Sequence, residues 1–209
     1  MKLPRLYLVT DEDVIPNNRL TPAVEGIMEA GVRLLQLRFK KTPYSEQVEL
    51  GRKIRKLTKS YGSILIVNDS PELAAELEAD GVHLGASDAE VSYARKLLGE
   101  SAIIGVSCYE DIKLVERWSA NEVAYIGLSS PYASSTKQKA SVPIHRFKTL
   151  VSASSVPVYA IGGITVSRMN DILSTACYGV AVVSAIFAAS NPVQAVAEFK
   201  AQFMKLSTK

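Results

Sequence analysis

The sequence has little cysteine, histidine or tryptophan: two, two and one among 209 residues. Cys108 and Cys177 are far apart and lack metal-type spacing, so a thiolate metal site finds no support. Free, packed thiols in a reducing compartment are expected in preference to a disulfide. No apolar run approaches the roughly 18 residues of a membrane span. The opening stretch "MKLPRLYLVTDED" has one short apolar run followed by acids, which is not the pattern of a secretory signal. Neither acidic nor basic residues dominate. The net charge is +3 and the basic residues are scattered, which argues against a nucleic-acid or membrane partner. No low-complexity tract occurs. A cytoplasmic globular protein is expected.

What is present is alternation. Short runs rich in Leu, Ile and Val stand at 6–10, 34–38, 64–68, 81–85, 103–107, 123–127, 158–162 and 179–184. Between them lie amphipathic helix candidates at 21–30, 44–60, 71–79, 88–98, 110–120, 145–153, 166–175 and 191–206. The first is expected to start on Thr21 with Pro22 at its first helical position. The strand candidates are nearly continuous apolar runs, as in a parallel sheet covered on both faces. Eight strand–helix units over residues 1–209 predict an α/β fold, a single (β/α)8 TIM barrel forming one domain. An open doubly wound sheet is the alternative. It would normally carry a glycine-rich turn after the first strand, where this chain has "LVTDED".

In such a barrel the C-terminal strand ends face the active site. Those ends are polar: Thr10 and Asp11, Arg38 and Lys40, Asn68 and Asp69, His83 with Asp88, Ser107, Ser129 and Ser130, and Ser184. The segment "LLQLRFK" puts Gln36, Arg38 and Lys40 on one face by its period of two. Asp69 and Asp88 emerge from adjacent strands and offer the hard oxygens that Mg²⁺ prefers beside a phosphate. Either could instead belong to a helix cap. Lys137 lies in the long polar loop "SSPYASSTKQKAS", a lid candidate or a plain surface loop. Gly162 and Gly163 allow close backbone approach to a ligand, and a following helix start could hold a phosphate. A metal pole with three cations and a separate phosphate pocket asks for two phosphorylated substrates, one of them a diphosphate.

Taken in order, "YLVTD", "QLRFK", "VND", "DGVHLG" with Asp88, "IGVS", "STK", "VPVYAIGGIT" and "GVAVVSAI" resemble thiamine phosphate synthase over essentially the whole chain. The resemblance implies a transferase that joins a hydroxymethylpyrimidine diphosphate to a thiazole phosphate and releases pyrophosphate. Arg38, Lys40, Asn68, Ser107 and Lys137 would then hold the diphosphate, and Asp69 and Asp88 would bind Mg²⁺. Gly163, Val183 and Ser184, with Thr136, would form the thiazole-phosphate pocket, and Gln36 would lie beside the pyrimidine. A homo-oligomer is compatible with the sequence.

Three departures from the family pattern stand out. Ala86 replaces a glutamine, Ser129, Ser130, Ala133 and Ser134 alter the loop before Lys137, and Tyr109 stands where histidine is frequent. They keep a rival reading open. The thiazole tautomerase paralogues aromatise the thiazole phosphate, with that histidine as base, and a phenol is a poor base near neutral pH. A non-catalytic phosphate-ligand binder is the third reading.

Overall fold

The computed structural model describes residues 2–85, 88–119, 122–133 and 142–207. Strands β1 (Leu6–Val9), β2 (Leu34–Leu37), β3 (Ile64–Asn68), β4 (Gly81–Leu84), β5 (Ile103–Tyr109), β6 (Tyr125–Ser129), β7 (Val158–Ile161) and β8 (Gly179–Val182) pair in sequence order, all parallel. The barrel closes where β8 meets β1, Leu6 lying opposite Val180. Around them run α1 (Asn17–Glu29), α2 (Tyr44–Ser60), α3 (Pro71–Glu76), α4 (Val91–Leu98), α5 (Ile112–Trp118), α6 (Ile144–Ser152), α7 (Met169–Leu173), α8 (Ser184–Phe187) and α9 (Pro192–Ser207). This is the (β/α)8 barrel that the alternation predicts. No helix among the described residues is long and apolar enough to cross a membrane.

Strand periodicity divides the core in two. Leu8, Leu35, Leu37, Leu65, Val67, Val82 and Ile104 point outward and pack against the helices. Tyr7, Leu34, Ile64, Ile66, Ile103, Tyr125 and Tyr159 point inward and fill the barrel. Glycines on facing strands make room for the rings. A Cβ at Gly105 would lie 2.1 Å from the Tyr125 ring, and one at Gly179 would lie 2.8 Å from Tyr159. The N-terminal segment closes the floor. Tyr159 Oη donates to the Pro4 carbonyl at 2.6 Å, Arg5 Nε donates to the Tyr178 carbonyl, and the Arg5 guanidinium lies over the Phe203 ring. Among the described residues the interior is closed at the bottom by these contacts and opens at the C-terminal mouth.

Several boundaries differ from expectation. Helix α1 begins at Asn17, one turn early, because Leu20 is buried against the core and carries the helical face forward. Pro22 is therefore inside the helix and not at its first position. Strand β6 sits two residues later than predicted. Its register with β5 puts Tyr125 opposite Gly105, the position that leaves space for the ring. Helix α4 starts at Val91 and α3 ends at Glu76, each shorter than its amphipathic pattern.

Candidate active site

At the mouth, each cation that follows β2 meets a carboxylate. Arg38 Nη1 donates to Asp11 Oδ2 at 2.5 Å, and Lys40 Nζ pairs with Asp69. The loop that bears Lys40 is held by Glu12. Its carboxylate accepts from the backbone N–H groups of Lys40 (2.7 Å), Lys41 (3.0 Å) and Thr42 (2.9 Å), and from the Thr42 hydroxyl. Desolvation opposes ionisation of Glu12, but these donors outweigh it and hold its carboxyl below the ordinary value. Nothing in the periodicity of "LLQLRFK" indicates this acid, because it belongs to the preceding β1–α1 loop.

The capping alternative for the two aspartates does not hold. Ser70 caps α3, its side chain accepting from Leu73 N, which leaves the Asp69 carboxylate to the mouth. Asp69 adopts φ +66°, and its backbone N–H donates to the His83 carbonyl at 2.8 Å. Asp88 Oδ2 accepts from Gly85 N at 2.5 Å, and α4 starts three residues later without a side-chain cap. The two carboxyl groups share a hydrogen bond. Burial and the Asp69 charge push Asp88 up, whereas at Asp69 the bonds to Asp88 and Lys40 outweigh desolvation and push it down. Two oxygen-only groups competing for one proton form a donor pair that a divalent cation can satisfy. Among the described residues no third His, Cys, Asp or Glu completes such a set. Remaining ligands would have to come from substrate and water, the habit of Mg²⁺.

Below the mouth is a cavity of about 430 Å³, lined by Gln36, Arg38, Asn68, Ser107, Gly163, Val183 and Ser184 among others. Seven predicted site residues thus share one cavity. Lys40, Asp69 and Asp88 stand beside its lining. The amide nitrogen of Asn68 is buried with no hydrogen-bond partner among the described residues. A bulge in β5 between Ser107 and Tyr109, where Tyr109 takes φ +51°, puts both residues on the cavity while Cys108 turns into the core. Burial pushes the Cys108 thiol up to about 12 and the Cys177 thiol up to about 11, as suits packing residues. Thr136 and Lys137, like Ala86 and Ser134, lie outside the described residues.

Three features of the cavity escape a reading of the sequence. Tyr7, Tyr125 and Tyr159 resemble ordinary strand residues, yet their rings stack edge to face at 5.2–5.6 Å and form its floor. His83, which the sequence places among the polar strand ends as a positioning or packing residue, contacts both the tyrosine layer and Ser107. On the far wall Arg168 lies over the Tyr132 ring, 4.6 Å from its centroid, and donates to the Gly163 carbonyl at 2.5 Å. Gly163 has φ +55°, and a Cβ there would sit 2.1 Å from the Ala133 carbonyl. Its smallness therefore serves the packing of the β6–α6 loop in addition to any ligand.

The profile of the thiamine monophosphate synthase family matches residues 6–186. A thiamine-phosphate synthase of Picrophilus torridus is 38% identical over 206 residues, covering 99% of this chain and 100% of its own length. One from Clostridium botulinum is 35% identical, covering 97% and 95%. Among solved structures, a thiamine phosphate pyrophosphorylase from Pyrococcus furiosus superposes with a TM-score of 0.87 at 28% identity, covering 97% and 96%.

Proposed function

The chain belongs to the thiamine monophosphate synthase family, and from that membership we propose that it condenses a hydroxymethylpyrimidine diphosphate with a thiazole phosphate. The products are thiamine phosphate and pyrophosphate, and the activity is that of a transferase. The observation that carries the reading is the convergence on one cavity, beside an acidic pair, of Arg38, Ser107 and the Asn68 amide nitrogen, which has no partner among the described residues. Those donors suit a diphosphate. The barrel acts as one domain in the cytoplasm on small phosphorylated molecules.

Asp69 and Asp88 would hold Mg²⁺, which when bound supplies positive charge against the diphosphate oxygens. The chain's own groups supply the rest. Arg38, Lys40 and Ser107, with Lys137 from the loop, bind the diphosphate and stabilise the charge that grows on it. The bond between the pyrimidine methylene carbon and the bridging oxygen breaks, and pyrophosphate leaves with the electron pair. The thiazole nitrogen then donates its lone pair to the methylene carbon. No protein nucleophile takes part, and positioning dominates. Gln36 lies beside the pyrimidine over the tyrosine floor. Gly163, Val183 and Ser184, with Thr136, hold the thiazole phosphate opposite.

Purified protein with both substrates and Mg²⁺ is expected to form thiamine phosphate and release pyrophosphate stoichiometrically. Failure to form product would overturn the proposal. The tautomerase alternative predicts instead an absorbance change with the non-aromatic thiazole phosphate alone and no need for Mg²⁺. It leaves the acidic pair and Lys40 without a task.

A further inference from the structure

Five polar side chains are joined across the barrel interior. Gln36 Nε2 donates to Tyr7 Oη at 2.7 Å, and Tyr7 Oη lies 2.7 Å from Tyr125 Oη. Tyr125 Oη lies 3.1 Å from His83 Nδ1, and His83 Nε2 lies 2.9 Å from Ser107 Oγ. Tyr7 is 1% exposed and Tyr125 not at all, so neither phenol can trade a partner for water. Burial pushes both phenols well above the ordinary tyrosine range and keeps them protonated.

The direction of these bonds follows from counting protons. Tyr7 has one hydrogen to give and already accepts from Gln36. If Tyr125 also donated to Tyr7, the buried Tyr7 hydrogen would have no acceptor, which is costly. Tyr7 therefore donates to Tyr125. Tyr125 in turn needs an acceptor for its own hydrogen, and His83 Nδ1 is the contact that provides one. A hydrogen on Nδ1 would leave the Tyr125 hydrogen without an acceptor, so Nδ1 is bare and the imidazole carries its proton on Nε2. That N–H points at Ser107 Oγ and makes the serine an acceptor on the histidine side. Its own hydrogen is then turned toward the cavity that Ser107 lines.

We propose that His83 is a positioning residue: Gln36, Tyr7 and Tyr125 hold it as the Nε2–H tautomer, and it fixes Ser107 as a hydrogen-bond donor to an anionic oxygen in the cavity. The identity of that oxygen as part of a diphosphate rests on the function proposed above. A serine hydroxyl left alone rotates between donor and acceptor roles. Held by an imidazole N–H, it keeps its own hydrogen free to donate into the cavity, which favours an anion.

Two measurements on the full chain test this. The protein has two histidines, so ¹⁵N-histidine labelling with His83→Asn for assignment gives a simple spectrum. Long-range proton–nitrogen correlations are expected to show a hydrogen on Nε2 and none on Nδ1 of His83. A hydrogen on Nδ1 overturns the inference. Calorimetric titration with pyrophosphate and Mg²⁺ tests the link to Ser107 without turnover. His83→Asn is too short to reach the serine and should weaken binding about tenfold, as should Ser107→Ala. The double variant should be no weaker than Ser107→Ala, and His83→Gln, whose amide can replace Nε2–H, should restore binding. Additive losses, or a glutamine variant as weak as asparagine, contradict the inference. Absent turnover with the expected tautomer would sink the synthase reading alone, whereas the wrong tautomer in an active enzyme would sink this one alone.

Discussion

Glu12 shows how a single carboxylate can set the geometry of a site it does not enter. Folding depresses its carboxyl, so in the acid range the unfolded chain binds more protons and stability rises with pH. Its contribution is complete above roughly pH 5 and is lost as pH falls through the depressed folded-state value. Glu12→Gln should therefore melt below wild type at pH 7, with the gap closing as pH falls through the depressed folded-state value; thermal melts from neutral to acid pH check it. At this scale the sequence was partly legible. The cations Arg38 and Lys40 stand out because period two sets them against Leu35, Leu37 and Phe39. The tyrosine floor does not, since a polar tip on a strand residue shows its role only when the barrel closes around it.

Elements transmit these residue effects. Ser70 relieves Asp69 of capping duty, so Ser70→Ala should cost about 1 kcal/mol through the start of α3. That corresponds to a fall in Tm of roughly 2–4 °C for a chain of this size. Calorimetry would show it, and a larger loss of turnover than of stability would indicate that Asp69 has been drawn into the vacant cap. At the end of β7, Gly163→Ala combines a left-handed backbone with a 2.1 Å clash against Ala133. It should lower kcat/KM for the thiazole phosphate about 100-fold by displacing the loop, with the fold intact by circular dichroism. Eight strands were legible from apolar runs because both faces are buried. The shift of β6 was not, since Val123 and Ala124 suit a strand equally well. Pairing of Tyr125 with Gly105 decides the register, and that pairing spans twenty residues of sequence.

At the scale of the whole molecule, the closed barrel collects residues from all eight strands at one mouth and seals the other end with the N-terminal segment. The order of polar strand ends made that collection readable before any coordinates. Sequence alone did not show that Arg38 and Lys40 already rest against Asp11 and Asp69, because ion pairs across loops depend on the curvature of the barrel. A bound diphosphate must share those cations with the carboxylates, or reach them through the metal that the acidic pair would hold. Lys40 isolates the central claim best, since its side chain is 46% exposed and its partner Asp69 keeps contact with solvent at 27%. The decisive measurement is steady-state pyrophosphate release by Lys40→Ala beside wild type, with Tm recorded for both. The account predicts a roughly 100-fold fall in kcat/KM for the pyrimidine diphosphate at a nearly unchanged Tm. Full turnover by Lys40→Ala would contradict it.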